Sequence, residues 1–144
     1  MANYQGVGNI FASFVADDDL TAKQYLLVNA ASTRDYVKAG TSGSNPLPIG
    51  VLQNDPSAGQ GALVAVLGFA KAKCRVMASC DLRMGRYLVG ASDGFLEPIA
   101  VVGEIAIARY FGPTNTTGDA SILADVLLFP ALGGACVAET GTAF

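Results

Sequence analysis

The sequence predicts an all-β fold, a small β-barrel or compact sandwich with an extended N-terminal arm and an irregular C-terminal tail. Three observations carry this. Apolar runs of strand length recur, rich in β-branched and aromatic residues and bounded by clusters of Gly, Pro, Asn, Asp and Ser. The run "KAKCRV" at residues 71–76 alternates strictly, with Lys71, Lys73 and Arg75 on one face and Ala72, Cys74 and Val76 on the other. No window has an apolar stripe at helical spacing with caps, apart from one short turn near residues 17–23.

In chain order, residues 1–20 lack a sustained period, contain Gly6 and Gly8, and end near the run Asp17, Asp18, Asp19. They are expected to form an extended arm that something else must hold. "QYLLVN" and "RDYVKAG" read as short strands separated by "AAST". "TSGSNPLP" is a loop whose two prolines oppose regular pairing. "IGVLQN" and "ALVAVLGFA" are strands around the turn-forming "NDPSAGQG". The alternating strand follows, then a hairpin in "GRYLVGASDGFLEP" that turns at Asp93 and Gly94. "VVGEIAIARYF" reads as a strand, "GPTNTTGDAS" as a turn and "ILADVLLF" as the closing strand. The expected organisation is an arm over 1–20, a barrel over 21–130 and a tail over 131–144.

A faint internal echo links "IGVLQN…AGQGALVAVLG" to "VGEIAI…TGDASILADVLL". Either ordinary hairpin grammar recurs, or two similar hairpins close one barrel. Gly50, Gly59 and Gly68 are expected at bends, turns or close approaches, where small residues let strands curve.

At 144 residues the chain reads as one domain. Hydrophobic residues make up 51% and charged residues 15%, too few charges to coat a small monomer comfortably. Either the core is unusually rich in Ala and Val, or apolar surface is covered in an oligomer or larger assembly. The net charge of −3 gives no general attraction to nucleic acid or to anionic membranes. The uncharged stretch 126–138 contains Pro130 and two glycines and falls short of the roughly 20 residues of a spanning helix. The start "MANYQGVGNIF" lacks signal-peptide features, so synthesis and retention on the cytosolic side are expected. Cys74, Cys80 and Cys136 are expected to be free, buried thiols.

The chain has no His, which removes the usual general base and most transition-metal sites. Cys74 and Cys80 are too far apart for a zinc knuckle. Asp17, Asp18 and Asp19 are adjacent, whereas calcium loops space their ligands at alternate positions. "AGQGALVAVLG" leads into a strand and so does not form a phosphate-binding loop. Asp93 and Glu97 as a hydrolytic carboxylate pair have no support beyond proximity. No enzyme, metal or cofactor is expected. Lys71, Lys73, Arg75, Arg83 and Arg86 form the one uneven charge feature. They make either a solvated face that discourages edge pairing or a patch for an acidic partner or a neighbouring subunit.

The segment order resembles that of the capsid cement, or head decoration, proteins of tailed bacteriophages. The most specific part is Gly50, Val51, Leu52, Gln53 and Asn54 with Pro56, Ala58, Gly59, Val66, Leu67 and Gly68. The resemblance covers roughly residues 15–129. Arg83 and Met84, the long loop before residue 121 and the tail depart from the pattern. The resemblance implies a small β-barrel on the outer surface of an icosahedral head, made in the host cytoplasm and often trimeric. Its partners would be the major capsid protein and neighbouring copies, with no nucleic acid and no membrane. The arm residues Tyr4, Ile10, Phe11 and Phe14, and the basic residues Lys71, Lys73 and Arg75, are the expected contacts. Other readings are a carbohydrate-binding β-barrel, which the scattered Tyr25, Tyr36, Tyr87 and Tyr110 and the lack of Trp weaken, and a small hydrolase.

Overall fold

The computed structural model describes residues 11–40, 48–68, 70–77, 82–100, 104–115 and 121–128. Tyr4, Ile10, Cys80, Cys136 and the tail 131–144 lie outside the described residues. Among those described the fold is all-β, and it holds two barrels rather than one. The first closes in the order β1-β3-β2-β4-β5: β1 (Phe11–Ala16), β2 (Leu27–Ala30), β3 (Tyr36–Ala39), β4 (Gly50–Leu52) and β5 (Gly61–Val66). The second closes in the order β10-β6-β8-β7-β9: β6 (Ala70–Val76), β7 (Tyr87–Gly90), β8 (Leu96–Pro98), β9 (Ala108–Tyr110) and β10 (Ile122–Leu128).

Two sequence expectations are corrected. Phe11–Ala16, assigned to the arm, is a strand of the first barrel. It pairs antiparallel with β5 from Phe11↔Ala65 to Val15↔Gly61, which satisfies its backbone groups. Ala16 and the half-buried Phe14 join the first core, so residues 11–16 are held from within the chain. In "VVGEIAIARYF" only Ala108–Tyr110 forms a strand; residues 104–107 are irregular and 101–103 lie outside the described residues.

The two barrels trace the same path. In each, the first strand runs parallel to the third and antiparallel to the fifth, and the second pairs antiparallel with the third and fourth. The registers coincide as well. Phe14↔Ala62 corresponds to Cys74↔Ala124, Val28↔Gly50 to Leu88↔Ala108, and Leu52↔Val64 to Tyr110↔Val126. Loop hydrogen bonds repeat: Tyr25 N–H to Leu52 O at 2.7 Å matches Gly85 N–H to Tyr110 O at 2.7 Å. Both donor residues have positive φ, 67° at Tyr25 and 89° at Gly85. Leu20 N–H to Pro56 O and Leu82 N–H to Asn115 O are both 2.9 Å.

Side-chain burial follows this correspondence. The first core contains Ala16, Leu20, Val28, Val37, Leu52, Ala62 and Val64. Their counterparts Val76, Leu82, Leu88, Leu96, Tyr110, Ala124 and Val126 are all buried together in the second core. The echo noted in the sequence is therefore part of a duplication of the whole barrel. Its two hairpins, β4–β5 and β9–β10, close separate barrels.

The barrels share one apolar seam. Leu27, Val51 and Ala65 lie on the outward side of the first barrel, between inward-facing neighbours, yet belong to the second core. They form one cross-strand row, Leu27↔Val51 and Val51↔Ala65. The row enters where the second barrel is thinly closed, because β6 and β8 share only the pair Val76↔Leu96. There Arg75 N–H donates to Tyr25 O at 2.9 Å. A Cβ added at Gly90 would lie 3.3 Å from Leu27 Cδ1, and one at Gly94 2.9 Å from Leu27 O.

Candidate functional site

Strand β6 alternates as its sequence requires, with Lys71, Lys73 and Arg75 exposed and Ala72, Cys74 and Val76 buried. Pairing with β10 sets these cations opposite Leu127, Asp125 and Leu123. Lys71 Nζ sits 3.8 Å from Asp125 Oδ2, an exposed pair worth under about 1 kcal/mol. Arg109 on β9 extends the face beyond β10, opposite Leu127 on one side and Tyr87 on the other. Its guanidinium stacks 4.9 Å from the Tyr87 ring centroid, and its Nε–H donates to Gly85 O at 3.1 Å. The outer face of β6, β10 and β9 thus presents Lys71, Lys73, Arg75 and Arg109 around Asp125. Leu123, Phe111 and Met84 are large apolar side chains exposed on the same barrel.

Of the other expected contact residues, Phe11 is 45% exposed on the outward side of β1. It lies diagonal to exposed Leu63 across the Phe11↔Ala65 and Ser13↔Leu63 pairs. Phe14 points the other way, against the first core. Gly50 sits in β4, where an added Cβ would run into Ala65 O and approach Val64 Cγ1 at 2.7 Å. Gly59 takes φ +81° in an open turn, and Gly68 lies in the bend after β5.

Arg109, Tyr87 and Leu127 escaped sequence reasoning. Arg109 stood in an alternating run read as an ordinary strand, and nothing local signals that it joins Lys71 across β10. Among the described residues three groups titrate abnormally. Burial pushes the Cys74 thiol far up, leaving it protonated and inert. Burial first, and then the Glu104 carboxylate, hold Glu97 above the usual carboxylate range. Burial raises Tyr110, whose hydroxyl donates to Pro113 O at 2.6 Å. Among the described residues no three His, Cys, Asp or Glu side chains gather as a metal site.

The fold is similar to that of a bacteriophage head fibre base. The crystal structure of the N base of head fibre gp8.5 of bacteriophage phi29 matches with a TM-score of 0.53 at 18% identity. The match covers 83% of this chain and 92% of the phi29 chain. At that coverage the phi29 base corresponds to more than either barrel alone. No protein-family model matches the sequence, and no curated protein does.

Proposed function

We propose that this chain is a non-catalytic structural protein of a phage virion. It sits on the outer surface of the icosahedral head, binds the major capsid protein and stabilises contacts between capsid subunits. The observation that carries this reading is the fold shared with the phi29 head fibre base across 83% of the chain. The motif resemblance over residues 15–129 supports it from independent features. The absence of His from the sequence and the inert Cys74 fit a protein that needs no cofactor.

Attachment rests on two features. Residues 1–10, with Tyr4 and Ile10, lead directly into exposed Phe11. Laid on a capsid sheet edge, they exchange unpaired backbone groups for strand hydrogen bonds. Ordering them costs about 1–2 kcal/mol per residue, offset in part by about 1.5–3 kcal/mol for each buried aromatic. Lys73 and Arg75 supply a salt-sensitive contact to an acidic capsid surface. Many copies on one lattice then stabilise the shell, because only the assembled shell binds them.

The test is binding of purified full chain to expanded heads that lack it. Deleting residues 2–10 should leave the melting temperature nearly unchanged, since β1 is intact, but weaken head binding by at least about tenfold. K73E/R75E should weaken binding less and flatten its salt dependence. A full chain that does not bind heads sinks the proposal. Undiminished binding by the deletion variant moves the contact away from the arm.

A further inference from the structure

Three large apolar side chains stand exposed on one side of the second barrel: Met84 at 68%, Phe111 at 39% and Leu123 at 50%. Backbone bonds fix the position of each. Arg86 N–H donates to Arg83 O at 3.1 Å, closing a turn with Met84 at its tip and the positive φ, 89°, at Gly85. Gly85 N–H to Tyr110 O at 2.7 Å ties this turn to the end of β9, one residue before Phe111. Phe111 N–H donates to Asp125 O at 3.0 Å, so Phe111 continues β9 opposite Asp125 and diagonal to Leu123. On the far side of β10 stand Lys73 and Arg75, opposite Asp125 and Leu123.

The first barrel uses the equivalent place differently. Gln53 N–H to Leu63 O matches Phe111 N–H to Asp125 O, and Val15↔Gly61 matches Arg75↔Leu123. With Tyr25 matching Gly85, the counterparts of Met84, Phe111 and Leu123 are Gln24, Gln53 and Gly61. Two of these are polar and engaged: Gln24 Nε2 donates to Gln53 O at 2.9 Å, and Gln53 Nε2 reaches Lys73 O of the second barrel at 3.5 Å. This face of the fold thus borders a neighbour in the first barrel. In the second it carries large apolar side chains instead. Exposed apolar residues scattered singly are ordinary, whereas three held side by side mark a contact surface.

We propose that Met84, Phe111 and Leu123 are the anchor by which the second barrel docks on the major capsid protein, against an apolar patch edged by carboxylates. This rests on the head-binding reading above and names the part of the chain that holds on. Charge selects the partner's chemistry. Lys73 and Arg75 have no ion pair among the described residues, and Lys71 is met only by Asp125 at 3.8 Å. A basic surface would be repelled, and a neutral apolar one would strip water from two cations without replacing it. An acidic apolar surface satisfies both halves of the face. The halves then divide the work: buried anchors set how long the complex lasts, and rim charges set how fast it forms. Met84, unbranched and polarisable, adapts to an imperfectly matched partner.

The experiment is binding of the full chain to expanded heads that lack it, followed in time at several salt concentrations, with hydrogen peroxide footprinting of the free and bound chain. Peroxide converts an accessible thioether to the sulfoxide, so Met84 should oxidise at least about tenfold more slowly on heads than free. Half-buried Met77 serves as the internal reference. F111S/L123S should dissociate at least about tenfold faster while keeping the wild-type salt dependence. K73E/R75E should associate more slowly and lose that dependence. The footprint needs no substitution, so it decides even where a variant melts early. Unprotected Met84 on heads that bind the chain, or wild-type dissociation in a folded F111S/L123S, overturns this inference and leaves head binding standing. Unchanged salt dependence in K73E/R75E overturns the acidic partner. Protection of Met84 that grows with concentration in the free chain gives the surface to a second copy, which also overturns it. A full chain that binds no heads overturns both readings.

Discussion

The two barrels have the same strand path and the same registers, yet they use one equivalent face in opposite ways. In the first barrel Leu27, Val51 and Ala65 are buried at 3%, 0% and 0% exposure. In the second the same positions are Tyr87, Arg109 and Leu127, each only partly buried. Backbone pairing and the inward residues preserve a duplicated fold, because they are tied to each other across every strand. Outward residues are tied only to what covers them. They diverge as soon as one copy faces a neighbour and the other faces water.

Exchanging the residues at one such position should break the comparison most sharply. V51R buries an unpaired cation in the seam and is expected to cost at least about 3 kcal/mol, read as a large drop in Tm. R109V in the second barrel loses the stacking on Tyr87 and the bond to Gly85 O, and should cost less than about 1 kcal/mol. Equal effects would show that the seam is not a real core.

A smaller effect is expected at Gly50 and its counterpart Ala108. G50A forces a Cβ toward Ala65 O and Val64, an overpacking of about 1–3 kcal/mol. A108G only removes a methyl and loosens the strand, about 0.5–1 kcal/mol. Urea melts of both variants would sharpen the difference between the two fourth strands.

The smallest effect is electrostatic. Glu97 on β8 has its carboxyl raised by burial and then by Glu104, so the folded chain binds that proton more tightly than the unfolded chain does. Stability from this group is full below the ordinary carboxylate range and falls as pH rises through the folded value. E97Q should therefore melt slightly above wild type at neutral pH and together with it in acid. Lys38 stands at the corresponding place in the first barrel.

Much of the strand content was legible, because turn formers bound the runs and β6 alternates cleanly. Strand β1 was not, because "FASFVA" has apolar residues on both faces and stands beside three aspartates. The second barrel was hidden for a related reason. Periodicity reports that a face is buried without saying what buries it. One signal was present: "LLV", "GVL" and "LVAV" in the first barrel are continuous apolar runs, as expected of strands covered on both sides. The contrast with alternating "KAKCRV" marks which barrel is enclosed. The duplication itself left little trace, since Leu27 and Tyr87, or Val51 and Arg109, share a place but no chemistry. For the candidate surfaces, the basic strand face was readable from spacing. The Arg109–Tyr87 row depends on partners two strands away and was not.

The sparse closure between the first and third strands of each barrel bears on how such a chain can lengthen. Because every unit keeps that side open, a newly copied unit arrives with its berth already shaped. It needs only an apolar row on its predecessor to become part of the same body. Gene duplication would then extend the molecule one module at a time without redesigning the earlier ones. At the equivalent positions the second barrel carries Tyr87, Arg109 and Leu127, so the row a further unit would have to cover includes a cation.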